Sequence, residues 1–513
     1  MLALTKGEGE PLVFLAFSHV FWYNNITKGR DVMGGNYEKK LFEHLQETLE
    51  RVDRLSCEVA SLKTEHKKEM ELLKAENQRL SKENQALKGE VQKLKAMINK
   101  NSGNSSKPPS SDGFTKIQNS REKSGKCPGG QPGHKGTTPK LFSKPTRIED
   151  IRTERCRCGG RIVYSGNYTA KQLVDIEIAT TIIEYREHKG VCQCCHHHIK
   201  NHAPVNDVIT YGNSLKSFSA MLSIEGMVSI NRIQQMLREL TGGQLNLSEG
   251  TIAKWIKDLS KCVVPAIETI KAKLLASPLL HKDETGIRVN KALHWLHVLG
   301  NNTCTLYLAH QKRGNDADKE MGILPVYSGI LMHDHLRGLY DFTCQHAECN
   351  AHILRYLKSA IENKKRKWAQ DMITLLLHAK AMSADCRGKS PDAHSIEIIQ
   401  QQYDEILEFG RLEFLRDEAP DYNGEDMKLL RRLKQYKTEH LRFLCDPTVP
   451  FDNNQAERDL RMIKAKSKIS GCFRAHDGGQ VFAFLKSYTA TLRKNKRNIF
   501  YGIKAAFDRI PVL

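Results

Sequence analysis

Long apolar runs are missing from this sequence. The nearest, Leu12 to Tyr23, falls well short of the ~20 residues that cross a bilayer, so no membrane helix and no membrane partner are expected. Aromatic residues are scarce at 7 %, which beside 40 % hydrophobic content argues against one large β domain. A chain of 513 residues has room for about two or three cores instead. Acid is in deficit as well: 59 Asp and Glu stand against 79 Lys and Arg, a net charge of +20. With a pI near 9.3, the expected partner is a polyanion, nucleic acid first among them. No cleavable leader is convincing, and the 14 cysteines are clustered rather than spread in pairs. That favours a reducing cytoplasm with a metal site over a disulfide framework.

What is present divides the chain into segments. Residues 1–37 read as an N-terminal extension, either disordered or misassigned, and residues 1–32, ahead of Met33, as upstream sequence translated from an early start codon. Residues 38–100 keep a seven-residue repeat, with Leu45, Val52, Val59, Leu73, Leu80, Leu87 and Leu94 in one column and Leu49, Met70, Val91 and Ile98 in the other. Asn77 and Asn84 fall in the second column, where a buried amide fixes register and favours two strands, so the segment predicts a dimerising coiled coil. His66, Ser56 and Lys63 interrupt the seam in its first half. Residues 101–145 then turn to Gly, Ser and Pro with basic residues, a composition that cannot offset chain entropy and predicts a disordered arm, either lying along DNA phosphates or inert.

Residues 146–205 carry two cysteine turns, Cys156-Arg157-Cys158-Gly159-Gly160 and Cys192-Gln193-Cys194-Cys195, separated by a β-rich stretch from Ile176 to Tyr185 expected to form a small sheet. Such turns let thiolates converge on one ion, so structural Zn²⁺ is expected on Cys156, Cys158, Cys192 and Cys195, with Cys194 as the alternative to Cys195. Free core thiols are the competing reading. Residues 206–276 read as helical and helix-turn-helix-like: Ile230, Ile233, Met236, Leu237 and Leu240 share a face, Gly242-Gly243 stops it, and Ser248 caps a second helix carrying Ile252, Trp255 and Leu259. A plain helical core would look much the same.

Chemistry enters in residues 277–513. Leu279 to Thr285 reads as a strand holding Asp283, His294 to Leu299 and Thr303 to Leu308 as two more, and Gly329 to His333 as a fourth running into Asp334. Three strands, a short helix near Asp316 to Met321 and another strand match the start of a ribonuclease-H-like sheet, with Glu457 on a later helix as a third acid. Two Mg²⁺ or Mn²⁺ ions held by carboxylates would activate an attacking oxygen and stabilise a leaving one. Asn453 and Arg461, each four residues from Glu457, share its helical face, and the arginine suits a phosphate. Glu284 adjoins Asp283, but neighbours on a strand point oppositely, so Asp283 is preferred. Spacing alone is weak, since most carboxylates merely solubilise.

The sequence resembles the transposases of the insertion sequence sixty-six (TnpC-type) family. The resemblance rests on Asn101 to Ser111, Gly130-Gln131-Pro132-Gly133-His134-Lys135-Gly136, the cysteine turns, Ser229-Ile230-Asn231-Arg232, Leu247 to Ile252, Asp283-Glu284-Thr285, Asp334, Cys349-Asn350-Ala351-His352 and Asn453 to Arg461. It implies a DDE transposase with Asp283, Asp334 and Glu457 as catalytic acids, and Asn453, His352, Arg458 and Arg461 in support. The long gap between Asp334 and Glu457 implies a helical insertion over about 351–445. The resemblance also implies binding of terminal inverted repeats and target DNA, and cleavage with 3′-hydroxyl strand transfer. It further implies the two smaller proteins of the same element as candidate helpers; self-association is expected through the coiled coil, and the expected location is the bacterial cytoplasm, on the nucleoid when bound. The fold class expected is mixed α/β, multidomain and mostly helical. A catalytically inactive zinc-containing DNA-binding protein, or a nuclease that cuts without joining, are the competing functions. The shortened first cysteine turn and residues 1–32 depart from the family pattern.

Overall fold

The computed structural model describes residues 36–101, 103–105, 133, 140–417 and 421–512. The expectations for residues 1–32 and for most of the Gly/Ser/Pro arm therefore lie outside the described residues. Two units are distinguished, residues 1–94 and 95–513. The first is dominated by helix α1, Asn36–Ile98, rich in Leu, Glu and Lys and free of proline, which suits a long helix. Its column residues stay exposed in the single chain, Leu45 at 50 % and Leu87 at 52 %. No helix among the described residues is long and apolar enough to cross a membrane.

The second unit is mixed α/β. Strands β1 (Lys189–Val191) and β2 (His198–Lys200) form an antiparallel hairpin around the second cysteine turn. The sheet expected at Ile176 to Tyr185 is not there: that stretch carries no strand, and Ile176 and Ile182 are exposed. Alternating apolar residues make a strand-like surface, yet a ladder needs a partner strand, and the described residues offer none.

Helices α2 (Asn213–Ile224), α3 (Ile230–Leu240), α4 (Glu249–Cys262) and α5 (Val264–Leu275) follow. Ser248 caps α4 as expected, its Oγ accepting from Thr251 N at 3.0 Å. On α3, Ile233 and Leu237 are buried, whereas Met236 and Leu240 remain exposed.

The central sheet has the order β5-β4-β3-β6-β7, from β3 (Leu279–Val289), β4 (Ala292–Gly300), β5 (Thr305–His310), β6 (Ile330–His333) and β7 (Gln345–Glu348). Strands β3 to β5 are antiparallel, while β6 and β7 run parallel to β3. Helix α6, Asn315–Met321, makes the crossover. One face, with Leu280, Leu299, Leu306 and Leu331, packs on α4, α5 and α6. The other, with Ile287, Val289, Leu296 and Val298, packs on α12 (Asn454–Ser470) and the start of α13 (Gly478–Lys494).

Between β7 and α12 the chain is helical: α7 (Asn350–Lys364), α8 (Lys367–Asp385), α9 (Ala393–Leu415), α10 (Glu425–Gln435) and α11 (Lys437–Cys445). These helices bury their own core around Trp368, Tyr403 and Phe414, joined to the sheet through Met332 and Ala347. Helix α14, Ile499–Phe507, closes the fold.

Candidate active site

Strand parity decides which acids can meet. Residues 287 and 289 of β3 face α12, so Asp283 lies on that face, while Lys282 and Glu284 point to the other. The parallel register pairs His281 with Met332. Two residues further along both chains, Asp283 comes beside Asp334, which follows β6 directly. Their carboxylate oxygens and one of Glu284 all lie within 4.8 Å of one another, and no other such group of three occurs among the described residues.

The electrostatics of this trio are those of crowded anions. Burial, then Asp334 and Glu284, push the Asp283 carboxyl up to about 8. Burial and Glu284 likewise raise Asp334. Neither makes an ion pair among the described residues, whereas Glu284 is held by Arg313 Nε at 2.8 Å and by the fully buried Lys282 at 3.7 Å. Lys282 also faces Asp318 at 3.3 Å and donates to His297 Nδ1 at 3.0 Å. Glu284, set aside by the alternation argument, thus joins the cluster at its edge while anchored from behind. Its adjacency to Asp283 was the one signal, and alternation outweighed it.

Hard oxygen donors crowded together suit a divalent cation, which would reverse the upward shifts. The oxygens of Asp283, Glu284 and Asp334 are close enough together that they could hold one.

Glu457 is not within that 4.8 Å cluster. It lies in the first turn of α12, half-buried, on the helix that packs against the Asp283 face. Its charge adds to the burial that pushes the Cys349 thiol up to about 12. Asn453 caps the helix position rather than sharing its face: Nδ2 donates to Lys282 O at 2.8 Å, and Oδ1 accepts from His281 Nδ1 at 2.9 Å. Its backbone N–H donates to Cys349 Sγ at 3.2 Å. Asn453 is therefore a clamp between α12 and β3, a role its spacing from Glu457 did not reveal.

On the opposite side of α12, Asp459 takes Lys494 Nζ at 2.8 Å, and Tyr307 donates to its carbonyl at 2.9 Å. Arg458 and Arg461 are exposed, and Arg458 donates to Gln455 Oε1 at 3.1 Å. Burial, then Arg355 and Arg432, hold His352 near 3 and hence neutral. Its Nδ1 has no hydrogen-bond partner and its ring reaches neither acid among the described residues.

The cysteine turns form locally. Cys156 N–H donates to Gly160 O at 3.0 Å, and Cys192 N–H to His197 O at 2.9 Å. The Cys158 thiol is lowered by the Gly160 backbone and Cys156, and Cys192 by the Cys195 and Cys194 backbones and then the Cys195 side chain. Thiols pair within each turn, but no three of them come together among the described residues. Each turn needs only local hydrogen bonds; closing all four around a centre needs the free energy an ion supplies.

No curated protein matches the chain. A model of a family of unknown function matches residues 58–140. A second model, described as Transposase IS66 family, matches residues 209–481, more than half of the chain and a span that includes Asp283, Asp334 and Glu457. The chain belongs to the IS66 family of transposases.

Proposed function

We propose that this chain cuts DNA at the ends of its element and joins the freed 3′-hydroxyl to a target, on a ribonuclease-H-like sheet. The observation that carries the reading is the convergence of Asp283 and Asp334, brought side by side by parallel register, with both carboxyls raised first by burial and then by neighbouring carboxylates. Glu457 is the third acid, delivered from α12. A divalent cation held there would lower the charge barrier to phosphodiester attack.

The chain's own residues do the rest. Asn453 fixes the start of α12 against β3, and Asp459 fixes its far side through Lys494. Arg458 and Arg461, exposed beside Glu457, are suited to phosphate oxygens flanking the scissile bond. The excess of 79 basic over 59 acidic residues supports DNA as the partner.

The test is strand transfer with labelled element ends in Mg²⁺ or Mn²⁺, comparing the wild type with Asp283→Asn, Asp334→Asn and Glu457→Gln. Each substitution is expected to cut joining by ~10³-fold or more, ~4 kcal/mol in barrier, while gel-shift binding of the ends persists. Normal joining by any one of them removes that acid from the assignment.

A further inference from the structure

Glu348 ends β7 beside His333, the residue that precedes Asp334. Its side chain is 1 % exposed overall and accepts from four donors. Two come from the loop after Asp334: His335 Nδ1, in a very short contact, and Tyr340 Oη at 2.5 Å. Two come from the helical insertion: Arg432 Nη2 on α10 at 2.7 Å and His440 Nε2 on α11 at 3.0 Å. Burial opposes the charge. Hydrogen bonds from His335 and His440, with the attraction of His440 and Arg432, nevertheless hold Glu348 well below the usual carboxylate range.

The loop it grips is unusual. His335 has φ of 65°, a left-handed conformation that costs a non-glycine residue about 1–2 kcal/mol. Its N–H donates to His333 Nδ1 at 3.1 Å, which tightens the turn around Asp334. The rings of His335 and Tyr340 then pack on Tyr436, at the junction of α10 and α11, at 4.8 and 4.5 Å. A buried carboxylate with this many partners is a poor source of net stability, because desolvation consumes most of the attraction. It is a good source of unique geometry.

We propose that Glu348 is a positioning residue: by clamping His335 and Tyr340 to Arg432 and His440, it aims the Asp334 carboxylate and makes the cation-binding geometry depend on the docked helical insertion. This rests on the reading of Asp283 and Asp334 as cation-holding acids. Glu348 makes no hydrogen bond to either acid, so it acts through the turn rather than on the ion. Sequence distance hid it, since its two insertion partners lie 84 and 92 residues further on.

The experiment measures Mn²⁺ affinity of the full chain by paramagnetic resonance of free Mn²⁺. It compares wild type, Asp334→Asn, Glu348→Gln, Glu348→Asp and His335→Gly, with circular dichroism and end-DNA gel shifts alongside. His335→Gly removes the gripped ring at a position where glycine adopts the required φ without strain, so it stays informative should Glu348→Gln misfold. Glu348→Gln and His335→Gly are expected to weaken Mn²⁺ binding by ~10-fold or more, with the fold and the gel shift kept, and Glu348→Asp to recover part of the loss. Folded His335→Gly protein with wild-type Mn²⁺ affinity, while Asp334→Asn is impaired, overturns the positioning role alone. Wild-type affinity in Asp334→Asn instead overturns the reading of the acids, and this proposal with it.

Discussion

At Asp283, burial and the neighbouring Asp334 and Glu284 carboxylates outweigh the Glu284 N–H that donates to its Oδ1 at 2.8 Å, and that gives the metal-free protein a pH signature. Its folded pKa, about 8, lies above the ordinary 3.8, so the unfolded chain loses this proton first. The contribution to stability is therefore neutral below about pH 4, turns unfavourable as pH rises, and reaches its full penalty above about 8. Asp283→Asn removes the charge without changing the shape. In the absence of divalent ions, its melting temperature should exceed that of the wild type at pH 8.5 by ~1–2 °C, the shift that ~1 kcal/mol produces in a unit of about 400 residues. The advantage should shrink at pH 5, and added Mg²⁺ should raise the wild-type melting temperature more than the variant's. Differential scanning fluorimetry at both pH values decides it, and a gain that does not vary with pH would reject the buried, crowded charge as the cause.

At the scale of elements, side chains complete what backbone ladders leave open. β5 is a sheet edge, and α13 covers it: Thr305, Tyr307 and Ala309 donate their outward N–H groups to Thr491 Oγ1, Ser487 Oγ and Gln480 Oε1. Residues 101–105 are held in a comparable way. Asn104, 2 % exposed, donates to Glu362 Oε2 on α7 at 2.6 Å, and its Oδ1 accepts from Asn101 N at 2.8 Å. The first residues of the expected disordered arm are thus docked on the helical insertion. Asn104→Asp sets a carboxylate against Glu362 and should cost about 1–3 kcal/mol locally. Faster amide hydrogen exchange over residues 99–105 would register it, and unchanged protection would mean the contact holds nothing.

Which elements were legible in the sequence follows from the range of the forces that make them. The strand carrying Asp283, the short helix before β6 and the Ser248 cap depend on local pattern and emerged near their expected positions. The pairing of Asp283 with Asp334 was expected from the match to a ribonuclease-H-like strand order and from the family resemblance, since spacing alone was weak. The clamp by Asn453 and the grip of Glu348 were not expected, because their partners are set by tertiary packing across 84 to 172 residues. At Ile176 to Tyr185 the opposite happened. Local alternation promised a sheet, but pairing is a property of two segments, and the second was missing.

For the molecule as a whole, α1 poses the remaining physical question. Its 63 residues make a rod of ~95 Å. Val52, Val59, Leu73, Leu80 and Leu94 are about half exposed along it. Ion pairs within the helix, such as Arg79 to Glu76 at 2.7 Å, are exposed and contribute little. A seam of this length is stabilised by burial against another helix, at ~25 cal/mol for each Å² removed from water. Leu41, Leu55 and Leu62 sit four residues before Leu45, Val59 and His66, so the first half has a second apolar column of its own, on the other side of the shared one. Both halves can then pair despite Ser56 and Lys63, with Asn77 and Asn84 favouring two strands. Light scattering of the full chain should give twice the 58.3 kDa of one copy, and deletion of residues 38–100 should return the mass of a single truncated chain with the far-ultraviolet signal of the remaining fold intact. An assembly of the same copy number after deletion would place self-association elsewhere and leave the long helix without its stabilising partner.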